Sequence, residues 1–328
     1  MTGPPDATVE GGGAAPVGAP VSAGEPIAAR SVGQLFWRRF KEDKVAIASG
    51  VFLVLLVLIA IFAPVIVDLT GSRPPNEQST EYRDSFGTPT GPSSDNLMGV
   101  DPLGRDVFSR VLYGARISLM VALIATALSM LIGLTVGLLA GFYRGWVDTA
   151  LSRVIDVLLA FPILLLALGI ASACSLGDGC LRGTIKPGLT VVIFVIAFVN
   201  WTYIGRIIRG QVLSLREKEF VEAARALGAS NTRIMFREIL PNLVAPLIVY
   251  ATLFIPQNIL LEAALSFLGV GVQPPNASWG AMLADATSIF DTAWWYMVFP
   301  GVALLITVLA FNLLGDGLQD ALNPRTRT

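Results

Sequence analysis

The sequence contains no histidine. That excludes imidazole metal sites, haem ligation through histidine, a Ser-His-Asp triad and a histidine proton relay. Charge is scarce too: 14% of residues are Asp, Glu, Lys or Arg, against roughly 25% in an average soluble chain. The net charge is −1, so no global basic field supports nucleic-acid binding. A phosphate-cradling GxxxxGK[ST] loop is missing, because none of the four lysines (Lys41, Lys44, Lys186, Lys218) follows a glycine. Cysteine occurs only as Cys174 and Cys180. The first 29 residues lack the apolar run of a secretory signal and carry Asp6, Glu10 and Glu25 among repeated Gly and Pro. Such a composition cannot bury a core, which predicts a disordered tail over residues 1–34.

What remains is apolar. Hydrophobic residues make up 54% of the chain and the mean hydropathy is +0.67, which places it in the membrane class. A spanning helix needs about 20 apolar residues. Six charge-free windows qualify: 45–67, 117–143, 157–177, 187–205, 239–261 and 292–315. They predict an all-α integral membrane protein with six transmembrane helices. A seventh window, 263–284, is uncharged, but Gly269, Gly271, Pro274, Pro275, Asn276 and Gly280 break it. It reads as a loop that dips toward the membrane under protein cover.

Six spans put both termini on one side. With the termini in the cytoplasm, inner segments hold sixteen Lys and Arg and outer segments seven, the bias expected of that orientation. None of the six windows holds a central Asp, Glu, Lys or Arg, the groups that ion-coupled transporters use to bind the driving ion. Asn200, Gln257, Asn258 and Asn312 are the polar exceptions and read as helix-packing groups. Pro162, Pro246 and Pro256 either kink helices along a path or are simply tolerated. An intramembrane hydrolase lacks its residues here. If the chain transports, its energy enters from another chain docked on a cytoplasmic loop, and the largest such loop is 206–238.

That loop carries most of VEAARALGASNTRIMFREILPN, residues 221–242. Residues 220–227 are rich in helix formers, and Gly228 can end or turn the helix. Lys218–Glu222 and Glu222–Arg225 have helical neighbour spacing. Ala223, Ala224 and Ala226 leave a low surface that a partner can approach. Gly228 requires either a positive φ or room that a Cβ would fill. Pro241 is expected to start the next span.

The stretch resembles the EAA loop of ABC importer permeases. Glu222-Ala223-Ala224, Gly228, Ile239 and Leu240-Pro241 match its spacing, and Glu238 stands where an isoleucine is usual. MGVDPLGRDVFSRVLYGARISL (98–119), EAALSFLGVGVQPPNASWGAML (262–283) and NLLGDGLQDALNPR (312–325) resemble dipeptide and oligopeptide permeases of the second-subunit type. The resemblance covers roughly residues 35–325.

It implies a type I ABC importer permease fold over residues 35–328, in a bacterial cell membrane. It implies a half-pore without catalytic activity or a cofactor of its own, with ATP and Mg bound by partners. Those partners are a second homologous permease, two ATPase subunits or domains, and an extracytoplasmic substrate-binding protein, beside membrane lipid. Glu222, Ala223, Ala224, Gly228, Leu240 and Pro241 would form the ATPase-docking site. The substrate stands between di- or oligopeptides, nickel and haem, since relatives for each share these motifs. An ion-coupled secondary transporter and a non-transporting assembly protein are the rival readings.

Two further expectations concern the outer side. Residues 98–114 read as an amphipathic collar at the outer surface. In it Arg105, Asp106 and Arg110 face polar surroundings, and Val107, Phe108, Val111 and Leu112 face inward. The three charged residues either form structural salt bridges or contact the binding protein or peptide. Cys174 and Cys180 lie in the loop between the third and fourth spans. There they form either a disulfide or two separate thiols.

Overall fold

The computed structural model describes residues 3, 32–175, 179–180, 183–185 and 187–322. Apart from Gly3 and the start of the first helix, the expected tail at 1–34 lies outside the described residues. Helix α1 (Val32–Glu42) sets Phe36, Trp37 and Phe40 in mutual ring contact among Arg38, Arg39 and Lys41. An aromatic face beside basic residues suits a helix lying at a membrane surface.

The long apolar runs form helices, as a backbone without water must. These are α2 (Lys44–Ile61), α4 (Val107–Phe142), α7 (Leu189–Leu215), α10 (Leu240–Phe267) and α12 (Trp294–Leu322). Each is long and apolar enough to cross a membrane, giving five, or six if one bent pair is counted as a span. That pair is α5 (Trp146–Leu159) and α6 (Ile163–Ser175), bent by 88°. No β-strand occurs among the described residues; three isolated bridges lie in loops.

The third expected span therefore needs correction. Window 157–177 is not one straight helix, because the chain breaks at Phe161 and Pro162. Proline removes an N–H and pushes the residue before it out of the helical region. The first window is likewise split, with α3 (Ala63–Leu69) following α2 after Phe62 and carrying Pro64 in its first turn. Elsewhere the windows are too short. Helix α4 starts ten residues before position 117, and α7 runs ten beyond 205. Charged residues ended the windows, whereas the helices continue through them beyond the apolar layer.

The rejected window 263–284 holds no spanning helix. It divides into the end of α10, a glycine-rich turn and α11 (Trp279–Ala286), with Ala277, Ser278 and Trp279 buried. The cover expected there is real, but both ends are helical rather than loop.

Glycines bring α4 and α7 together, the most extensive helix pairing in the molecule. A Cβ added to Gly133 would lie 2.7 Å from the Ile204 Cβ, and one on Gly137 2.7 Å from the Gly205 carbonyl oxygen. One on Gly141 would lie 2.7 Å from the Val212 Cβ. The i, i+4, i+8 spacing puts all three on one face, as close packing of membrane helices requires. Behind this seam Asn200 donates to Asn258, which donates to Thr126 Oγ1 at 2.7 Å, tying α7, α10 and α4 in the buried interior. Asn200 and Asn258 are thus packing groups, whereas Gln257 and Asn312 are exposed.

Candidate docking site

Helix α7 leaves the bundle through a cluster of ion pairs. Arg209 binds both oxygens of Asp148, at 2.5 and 2.9 Å. Arg206 pairs with Asp156, and Arg144 with Glu217. Arg216 donates to the Phe142 carbonyl at 2.5 Å, supplying positive charge where the last carbonyls of α4 lack partners. These contacts fix α5 and the 143–145 turn against the end of α7.

From that base rises α8 (Glu219–Ala226), with Glu219 and Glu222 in its first turn and Arg225 in its last, as the helix dipole favours. One face is anchored: Val221 is fully buried against Ile234, Met235, Ile239 and Leu243. The other face is open. Glu222, Ala223, Arg225 and Ala226 are exposed, Ala224 is half-buried, and Leu227 just beyond them is 88% exposed. No ion pair joins Lys218 to Glu222 or Glu222 to Arg225 among the described residues, although the spacing allowed both.

Gly228 ends α8 with φ +80°, and nothing lies within 4 Å of where its Cβ would be. Of the two reasons for a glycine, conformation is the one within this chain. Gly228 N–H bonds the Arg225 carbonyl at 2.9 Å and Ala229 N–H the Ala224 carbonyl at 3.0 Å, the paired bonds of a Schellman cap.

Ser230 then caps α9 (Asn231–Arg233), a π turn spans Ile234–Ile239, and α10 follows without a break. Pro241 lies in the first turn of α10, as expected, but α10 itself continues a helical run that begins at Asn231. A proline there strands a carbonyl one turn back, and the wider π turn relieves the crowding. Leu240 N–H reaches the Met235 carbonyl, five residues back. Leu240 is half-buried and Pro241 exposed, about one helical turn past the buried Met235. The structure thus brings Glu222, Ala223, Ala224 and Gly228 onto α8 and its cap, with Leu240 and Pro241 on the helix packed beneath it.

At the opposite ends of the helices the collar residues are not turned toward solvent. Asp101, Arg105, Asp106 and Arg110 are all buried, so their polar surroundings are the protein's own. Arg105 Nε donates to Asp101 at 2.6 Å, and Arg110 lies 3.6 Å from the same carboxylate. Asp106 caps α4 by accepting from the Ser109 amide at 3.0 Å. Burial pushes the Asp106 carboxyl above the usual aspartate range, and the Ser109 N–H opposes that shift. Trp295 seals the cluster by donating to the Val100 carbonyl at 3.0 Å. Val107 and Val111 are buried and Phe108 and Leu112 half-buried. Asp101 was not legible, because it meets Arg105 across a turn and not along a helix, where a four-residue spacing carries no expectation.

Cys174 and Cys180 are joined as a disulfide, with Cα atoms 4.6 Å apart. The bond closes the start of the loop between α6 and α7, at the end of α7 away from α8. Closing so short a loop is worth about 2 kcal/mol by chain entropy, and its effect is local. Mass spectrometry without reduction should find the cross-linked peptide, and Cys174→Ser should leave the chain's activity near wild type.

Between α4 and α10 runs a groove of about 470 Å3, lined by Leu123, Met130, Leu131, Leu247, Ile248 and their neighbours. Its lining carries the Thr126 hydroxyl and no charge.

Residues 133–328 match the family described as binding-protein-dependent transport system inner membrane component. Residues 31–87 match the N-terminal TM domain of oligopeptide transport permease C. The chain is 41% identical over 292 residues to the dipeptide transport system permease protein DppC of Alkalihalophilus pseudofirmus, covering 89% of this chain and 90% of that one. It is 40% identical over 293 residues to the glutathione transport system permease protein GsiD of Pectobacterium atrosepticum, covering 89% and 91%. In fold it is similar to a chain of the MetNI methionine ABC transporter in an inward-facing conformation. That likeness has a TM-score of 0.54 at 21% identity and covers 65% of this chain and 96% of that one.

Proposed function

Since the chain belongs to the binding-protein-dependent ABC importer permeases of the bacterial inner membrane, we propose that it is one half of a pore for small peptides, driven by ATPase subunits docked on α8. The observation that carries this reading is the α8 protrusion. An anchored helix offers alanines and an exposed leucine to the outside, on a base of ion pairs that leads into α7 and α5. A push on α8 passes through Val221 into the π turn and α10, and through Arg216 into α4.

The partners are a second, homologous permease, two ATPase subunits that bind ATP and Mg, and an external binding protein that delivers the substrate. This chain contributes binding surface and movement, and the chemistry of ATP resides on the ATPases. The sixteen-to-seven charge bias supports an orientation with α8 and both termini in the cytoplasm. The disulfide then lies outside, where such bonds persist. Peptide as the substrate is supported by the dipeptide and glutathione permeases among the relatives. A wall without fixed charge tolerates varied peptide side chains and leaves selection to the binding protein.

The test is reconstitution in lipid vesicles with the partner permease, the ATPases and the binding protein. Peptide uptake should require ATP and the binding protein and should persist after proton and sodium gradients are collapsed. Uptake by this chain alone, driven by an ion gradient, would replace the reading with a secondary transporter.

A further inference from the structure

Among the described residues, Glu262 is the single acidic side chain buried inside one of the long helices, at 0% exposure on α10. Three buried serines surround it. Ser118 Oγ of α4 donates to one carboxylate oxygen at 2.9 Å, and Ser266 Oγ, one turn along α10, donates to the other at 2.7 Å. Ser266 Oγ in turn accepts from the Val272 amide at 3.1 Å and lies 3.5 Å from Ser278 Oγ. Ser278 is the N-cap of α11 and accepts from the Ala281 amide at 3.2 Å. The hydrogen bonds thus converge on one carboxylate from α4, from α10 and, through Ser266, from the start of α11.

Packing holds α11 in the same place. Trp279 Nε1 donates to the Val111 carbonyl of α4 at 3.1 Å. A Cβ on Gly280 would stand 2.4 Å from the Ala263 Cα of α10. Apolar side chains of equal volume would fill such a site at least as stably as a desolvated carboxylate. What a carboxyl group with hydroxyl donors adds is direction: the bond from Ser118 is lost when α4 separates from α10, and the Ser278–Ser266 contact is lost when α11 leaves α10.

We propose that Glu262 is a positioning residue, which fastens α11 across α4 and α10 and so sets how firmly the outer end of this half-pore is held shut. The tie has to open when the outer end opens. Loosening it lets the ATPases turn over without a loaded binding protein. The proposal rests on the permease reading above.

The test uses the assembled transporter in lipid, with Ser118→Ala and Glu262→Gln. The first removes the α4 arm alone, and the second keeps the shape of the side chain but one acceptor fewer. Without ATP, amide exchange over residues 281–286 should quicken by about tenfold in Ser118→Ala, the loss expected for one buried hydrogen bond. ATP hydrolysis without binding protein should rise, and its stimulation by loaded binding protein should fall. Co-purification of the ATPases should be unchanged. The double variant Ser118→Ala with Glu262→Ala should be no worse than Glu262→Ala, because both remove one tie.

Unchanged exchange in both single variants overturns the proposal. So does faster exchange with an unchanged stimulation ratio, which would leave Glu262 a purely structural group. If the wild-type assembly shows no stimulation at all, the permease reading fails instead, and the exchange measurement still decides whether the tie exists.

Discussion

Leucine in place of Gly137 should leave little folded protein in the membrane. A Cβ alone at this position would lie 2.7 Å from the Gly205 carbonyl oxygen and 2.8 Å from the Ile208 Cβ. Both contacts are with atoms that cannot swing aside. The larger side chain has to push α4 off α7 along their whole contact, since Gly133 and Gly141 sit at the same closeness one turn either side. Overpacking of a well-fitted interior costs about 1–3 kcal/mol and more where backbone blocks relaxation. Here the Asn200–Asn258–Thr126 tie behind the seam would be strained as well. Gly210→Leu is the matched control: it lies on α7, and nothing stands within 4 Å of its Cβ position. Detergent extraction followed by size-exclusion chromatography should show a monodisperse peak for Gly210→Leu and aggregate or no peak for Gly137→Leu. Equal peaks would mean that the two helices are not packed through this seam.

The spacing of Gly133, Gly137 and Gly141 went unread in the sequence, and its partner could not have been read there. A close-packing face can be recognised from i, i+4 repeats, while its mate is set by how the loops return the chain. Five of the six apolar windows located a long helix, and the third fell across the bent α5–α6 pair, because hydropathy marks what can lie in lipid but not where proline breaks it. Their ends were misplaced because a charge was taken as the edge of a helix. Arg110 and Arg209 show why that fails: each continues its helix and meets a carboxylate from another segment.

Glu262 is the sharper case. It marked the end of the fifth window, yet it is buried within α10, because Ser118 and Ser266 give it donors that leave no mark in a hydropathy profile. The helix and turn of the stretch proposed for docking were the most legible part, since its charges, alanines and glycine interrupt an otherwise apolar chain. The π turn before Pro241 was hidden, because a proline reads equally as the start of a helix or as a defect within one.

Aspartate at position 227 should abolish docking of the ATPases without disturbing the fold. Leu227 is 88% exposed and makes no part of the buried cluster beneath α8. It stands beside Ala223 and Ala226, where a partner groove can close on the backbone of α8. An apolar side chain in that position acts as an anchor, and truncating such anchors commonly costs 2 kcal/mol or more. A carboxylate costs more, because closing the groove would bury it unpaired. Association should fall by more than roughly 30-fold, read as loss of ATPase co-purification from a membrane that holds the chain at its normal level.

Gly228 separates the shape of the site from its contact. Asparagine tolerates the left-handed conformation and should retain most docking, whereas valine should cost about 1–2 kcal/mol in strain and loosen the cap. Glu222→Ala should matter less than either, since an exposed charge at a rim is worth only about 0–1 kcal/mol. The order Leu227→Asp, then Gly228→Val, then Glu222→Ala follows from a helix that works as a rigid apolar knob. Should Leu227→Asp bind and drive its ATPases like the parent, α8 is a connector between two spans and the energy enters this half of the pore elsewhere.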